Sequence, residues 1–128
     1  MVLAFIFLCG SVFGEDWAFK DSMALKNLAT LIEKGEAHPK DMSEKELVTA
    51  ANGMGYLRGL LDGMGISEAF GRQLPYRIPE EVTTEQLLLI VGKFLSVNPT
   101  RLNQKPVVTV SLALTEAFPN PAVKPPKP

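Results

Sequence analysis

The chain is poor in the residues on which most small-domain chemistry depends. Its 128 residues include one Cys and one His, whereas a four-ligand zinc site of the Cys/His kind, an iron–sulfur cluster or a disulfide framework needs more of these residues than that. Basic and acidic side chains nearly cancel, at 13 against 14. No positive surplus is left to hold phosphates, which excludes nucleic-acid binding by bulk charge. A chain of this length makes one domain with a modest core.

Val2 to Phe13 carries no charge and is followed by Gly14, Glu15 and Asp16. It is shorter than the roughly 20 residues of a spanning helix but suits the apolar part of a secretory signal. Val12 and Gly14 fit the −3 and −1 positions of a cleavage site, which makes Glu15 the first mature residue. The usual basic leader is missing, since the first Lys is Lys20. A buried N-terminal helix or a membrane anchor is the alternative. Cys9 lacks the small-residue pattern expected before a lipidated Cys. The expected division is a signal at 1–14, a helical domain at 15–118 and a Pro-rich extended or disordered tail at 119–128. Removal of the signal leaves no Cys, so thiol chemistry and disulfides are excluded and packing alone holds the domain. Glu15 to Glu68 has ten acidic and six basic residues, net −4, and Ala69 to Pro128 has four and seven, net +3. Such a split orients a partner or a second copy, or arises by chance.

Trp17 to Lys34 carries apolar residues at helical spacing, and Gly35 reads as its stop. The polar connector that follows contains His38 and Pro39. Ser43 and Glu46 form a capping box, and Leu47, Ala50, Ala51, Met54, Leu57, Leu61 and Met64 then make one apolar stripe. Gly53, Gly55, Gly59 and Gly63 lie in the same helix, each costing about 1 kcal/mol relative to Ala. Gly55, Gly59 and Gly63 read as a ridge for close helix packing, or else the helix breaks near Gly53. Ile66 to Leu74 reads as a short continuation with Ala69 or Phe70 buried. Pro75 and Pro79 then bracket a rigid, exposed link. Thr83 and Gln86 form a second capping box before Leu87 to Val97, whose all-round apolar character marks a central helix. Pro106 suits the first turn of a last helix. Val107 to Phe118 fits both strand alternation and a helical face, and periodicity alone slightly favours strand, but a lone strand would have no partner, so helix is expected. The fold class is all-α, a small bundle of four to five helices, with its core built mainly from Leu47–Met64, Leu87–Val97 and Val107–Phe118.

Chemistry is sparse. His38 sits in a polar loop, the wrong place for a base held by packing. No Ser lies in a G-x-S-x-G turn. The run G-M-G-Y-L-R-G lacks the preceding strand and the following Lys-Ser/Thr of a phosphate loop. Glu80, Glu81 and Glu85 are explained by their position at a helix start, and Asp62 by an i,i+4 pair with Arg58. No catalytic group, metal or cofactor is implied, which leaves a binding module.

Four blocks give that module a family. G-Y-L-R-G-L-L-D-G (Gly55 to Gly63), I-P-E-E-V-T-T-E-Q-L (Ile78 to Leu87), F-L-S-V-N-P (Phe94 to Pro99) and A-L-T-E-A-F-P (Ala113 to Pro119) together resemble, in order and spacing, the Rap/Tai immunity proteins. The resemblance implies a small exported all-helical domain. It implies binding to a cell-wall amidase effector of type VI secretion, blockage of its active-site groove, and frequent dimerisation. This sequence departs from the pattern where the family usually has Cys, at Arg77, at Asn120 and near Ala50 or Ala51, and it has Glu81 in place of a common Gly. The resemblance therefore implies a divergent, periplasmic, non-enzymatic member without the disulfide staple. The expected contact residues are Arg72, Tyr76 and Arg77 in the proline-bracketed link and Arg101 and Lys105 in the next loop, because Tyr and Arg dominate interface energetics and loops can enter a groove. The plain alternative is that they are solvated loop residues.

Overall fold

Both capping boxes form as the sequence expects. In the computed structural model, which describes residues 19–124, the chain makes four α-helices: α1 Ser22–Ala37, α2 Glu44–Ala69, α3 Thr84–Val97 and α4 Pro106–Ala117. Single turns of 3-10 helix at Pro39–Asp41 and Pro99–Arg101 join α1 to α2 and α3 to α4. The Ser43 hydroxyl accepts from the Glu46 amide at 3.1 Å while the Glu46 carboxylate accepts from the Ser43 amide at 2.9 Å. Thr83 and Gln86 repeat the arrangement at the start of α3. Each box satisfies two backbone donors that a helix start otherwise leaves open. The proposed signal at 1–14 and Trp17 lie outside the described residues, and α1 starts at Ser22 with Asp21 as its cap. Gly35 does not stop α1, which continues to Ala37.

The central position expected for α3 is observed, since it packs against all three other helices. It buries Leu87, Leu88, Val91, Phe94 and Leu95. The segment whose periodicity slightly favours strand is helical, as consistency across the chain expects: α4 buries Val110, Ala113 and Leu114 and leaves Val107 exposed. The core nevertheless differs from the expected one. Leu25, Leu28, Ala29 and Ile32 make α1 a principal contributor, whereas α2 fully buries only Ala50, Gly53 and Leu57, and its Leu47 is 54% exposed.

The glycines explain this shift. No neighbouring element comes within 4 Å of a methyl group placed at Gly55, Gly59, Gly63 or Gly65, so the expected ridge packs against nothing within the described chain. Close approach occurs at two other positions. A methyl at Gly53 would collide with Leu28, and a methyl at Gly92 with the Ala29 side chain. Both neighbours belong to α1, so these two glycines let α1 settle against α2 and α3.

The start of α1 is held from outside its own sequence. The Ser22 and Met23 amides donate to the Gln104 and Leu102 carbonyls, each at 3.0 Å. The fully buried Ser22 hydroxyl donates to the Gln104 carbonyl at 2.9 Å, which leaves the buried Thr109 hydroxyl to donate to Ser22 Oγ. Among the described residues no helix is long and apolar enough to cross a membrane.

Candidate functional site

A surface hollow of about 460 Å³ lies where the end of α2, the proline-bracketed link and the tail after α4 converge. Three local features bring them together. First, α2 runs unbroken into the continuation expected over Ile66 to Leu74 but ends at Ala69, with Phe70 as its cap, in a Schellman arrangement: Gly71 adopts φ 87°, its amide donates to the Glu68 carbonyl at 2.9 Å, and the Arg72 amide donates to the Ser67 carbonyl at 3.1 Å. Only glycine takes that φ without strain. Ala69 or Phe70 was expected to be buried, yet both are exposed, Phe70 at 84%.

Second, the link pairs with the tail. Tyr76 and Pro119 form an antiparallel bridge in which the Arg77 amide donates to the Phe118 carbonyl at 2.9 Å and the Asn120 amide to the Pro75 carbonyl at 3.0 Å. The Asn120 side chain adds a bond to the Leu74 carbonyl at 2.9 Å and caps the Ala122 amide at 3.0 Å. The beginning of the expected disordered tail is therefore pinned. The two positions where the resemblance places cysteines, Arg77 and Asn120, flank this bridge, and main-chain hydrogen bonds together with the Asn120 amide tie the segments without sulfur.

Third, the Tyr76 ring is the peg of the joint. It is 5% exposed and belongs to the core, with its hydroxyl donating to Met64 Sδ at 2.6 Å. Burial, and secondarily the nearby Glu68 charge, pushes its phenol above the ordinary range. Tyr76 is thus not the exposed contact residue that its place in a proline-bracketed link suggests. The rigid link turns this aromatic inward, where it lines the hollow beside Arg77.

The remaining candidates fall into two groups that the fold keeps apart. Arg72 and Arg77 are exposed at the hollow's end of the molecule. Arg101 and Lys105 precede α4, whereas the bridge follows it, and 12 helical residues separate the two ends by about 18 Å. Arg101 is half-buried and donates to the Gln104 side chain at 3.1 Å. That loop also supplies the carbonyls that hold α1, so its geometry serves the fold.

The hollow combines apolar and charged side chains. Leu61, Leu74 and Ile78 line it, with Glu68 on the α2 wall and Gln73, Arg77 and Asn120 on the others. Among the described residues the ion pairs are Lys34–Glu46 at 2.7 Å and Arg58–Asp62 at 3.6 Å, so neither arginine near the hollow is committed to an internal one. The Arg58–Asp62 pair is the structural pairing expected from its spacing. Glu68 and Gln73 were missed at the level of sequence. The signal that exposes them is Phe70-Gly71-Arg72, where the glycine marks the true helix end and fixes which α2 residues face the link. His38 is exposed in its loop, and no cluster of three or more His, Cys, Asp or Glu able to hold a metal exists among the described residues.

A hollow that mixes apolar side chains with uncommitted charge suits a protein partner's side chain. Comparison with known proteins agrees with a binding role: the family model for Rap1a immunity proteins matches residues 23–120. No curated protein and no solved structure matches the chain. The matched segment runs from the first turn of α1 to the asparagine that closes the bridge, taking in all four helices and the hollow, and the chain accordingly belongs to the Rap1a immunity protein family.

Proposed function

We propose that this chain is an exported, non-catalytic immunity protein that neutralises a type VI secreted peptidoglycan amidase in the periplasm, by seating on the enzyme and covering its active-site groove. Family membership supports a protein effector as partner. The observation that carries the choice of surface is the hollow of about 460 Å³ whose lining includes the exposed side chains of Arg77 and Glu68. An arginine on a rigid bridge loses little entropy when it meets a carboxylate or a carbonyl cluster. Arg72 belongs to the same surface, and Arg101 and Lys105 lie outside it. Pairing of two copies, implied by the resemblance, is part of the same proposal.

The test is titration of the purified chain into a secreted cell-wall amidase encoded beside its gene. Binding together with lost peptidoglycan hydrolysis is expected. Arg77→Glu should weaken affinity at least tenfold, about 1.4 kcal/mol, with the thermal midpoint unchanged. Absence of binding sinks the immunity reading, and binding that ignores Arg77→Glu and Arg72→Glu sinks the choice of surface. Tyr76→Ala is unsuitable, because emptying a core position confounds contact with folding.

A further inference from the structure

We infer that the chain's own segment at residues 125–128 folds back over the hollow as a strap, with its prolines on Leu61, Leu74 and Ile78 and Lys127 paired with Glu68. These four residues lie outside the described ones, but the chain that leads to them is already committed to the hollow. Ala122 contributes to its lining, and Val123 is half-buried. A turn fixes their course: the Val123 amide donates to the Asn120 carbonyl at 3.1 Å, beside the cap that the Asn120 side chain places on the Ala122 amide. Such a turn reverses the chain, so Lys124 heads back toward the bridge between Tyr76 and Pro119.

Length and chemistry both match. In the extended conformation that prolines favour, residues 125–128 reach about 12 Å beyond Lys124. The hollow takes Leu61 and Glu68 from α2, which lie about 10 Å apart along the helix. Three of the four residues are proline, so only Lys127 brings a backbone N–H, and the segment covers apolar side chains without stranding donors. Three residues per turn put Lys124 and Lys127 on one side of the strap and Pro125 and Pro128 on another. Glu68 is the only acid among the lining residues and, like the exposed Lys124, is in no ion pair among the described residues. Tethering favours this occupant over a free peptide, because a segment joined a few residues away stays at an effective concentration on the order of millimolar.

Arg77, the only base in the lining, repels the same two lysines. The strap is therefore displaceable, and by a definite chemistry: an acidic group that Arg77 attracts also draws Lys124 and Lys127 away from Glu68. This last step alone rests on the function proposed above, in which an acidic surface of the effector opens the hollow as it arrives.

The docking is tested without effector, by paramagnetic relaxation enhancement on the purified chain carrying a nitroxide at Pro128→Cys in a Cys9→Ser background. Broadening is expected at the Leu61, Glu68, Gln73 and Ile78 amides, with the loop at 98–105 unaffected. Glu68→Lys should cut it about twofold or more without moving the thermal midpoint, because that side chain is exposed. Adding Lys127→Glu to the same chain should restore it. Sharp amides around the hollow overturn the inference, and so does broadening that ignores Glu68→Lys. Broadening seen only between a nitroxide-bearing chain and a separate isotope-labelled one overturns it as well, since the strap then lies on a second copy. With the amidase present, removal of residues 125–128 should speed association about threefold, the value for a strap docked about two thirds of the time, and leave dissociation unchanged. An unchanged association rate overturns the gating, whereas absence of any association sinks the amidase reading and leaves the docking decided by the nitroxide.

Discussion

Gly92→Ala offers the sharpest check on how the helices are assembled. A methyl group there would meet the Ala29 side chain at a separation no packed structure tolerates, and the nearest backbone atom, Ala29 Cα, lies 3.9 Å away. Ala29 has no rotamer with which to move aside, so α1 as a whole must shift from α3. Overpacking of this kind costs about 1–3 kcal/mol, and the near-rigid contact places it toward the upper end. The better helix propensity of Ala returns about 1 kcal/mol, leaving a net loss of about 1–2 kcal/mol. For a domain of this size 1 kcal/mol moves the thermal midpoint by about 4–8 °C. Gly65→Ala is the matched control, since nothing lies within 4 Å of it and only the propensity gain of about 1 kcal/mol remains. In thermal melts followed by circular dichroism, the first variant should unfold roughly 5–10 °C below wild type and the second roughly 5 °C above. A Gly92→Ala midpoint equal to or above wild type would refute the tight α1–α3 contact.

Three further outcomes follow from single hydrogen bonds or charges. Asn120→Ala removes the bonds to the Leu74 carbonyl and the Ala122 amide. It should cost about 1–2 kcal/mol and speed hydrogen exchange at the Arg77 and Asn120 amides, whereas unchanged exchange would mean the bridge is held otherwise. Ser22→Ala leaves the buried Thr109 hydroxyl without its partner, an expected loss of about 1–3 kcal/mol in denaturant titration, and a neutral result would contradict the assigned bond. Glu46 titrates below the ordinary carboxylate range, chiefly because Lys34 donates to it and then because the Ser43 amide does. A lowered folded-state pKa contributes stability that is present above the unfolded value and is lost as pH falls through the folded one. Glu46→Gln should thus flatten the acid limb of the stability curve below the ordinary carboxylate pKa, and an unaltered limb would remove the pair from the account of acid sensitivity.

Local signals in the sequence located what local physics decides. Ser43 with Glu46 and Thr83 with Gln86 marked two helix starts, Pro106 marked a third, and the unbroken apolar run of α3 marked the centre. Three features depended on contacts distant in the chain and were not legible. Gly53 and Gly92 matter because of Leu28 and Ala29, which no spacing along α2 or α3 shows, whereas the regular series at Gly55, Gly59 and Gly63 drew attention to a face that the described chain leaves open. Tyr76 looked exposed because it lies between prolines, yet the rigid link aims its ring at Met64. Arg101 and Lys105 looked equivalent to Arg72 and Arg77 as loop cations, and only the direction of α4 puts the pairs at opposite ends. The hollow itself was half legible: Arg77 and Arg72 came from composition and turn chemistry, and Glu68 needed the helix end that Gly71 sets.

The most direct test is hydrogen exchange mass spectrometry of the chain alone and in complex with the secreted amidase proposed as its effector. Binding through the hollow requires new protection at residues 72–78 and 118–122, with the α3–α4 loop at 98–105 unchanged. Protection confined to that loop or to α1, with the hollow's segments unaltered, would contradict the central claim that this immunity protein meets its effector at the bridged end.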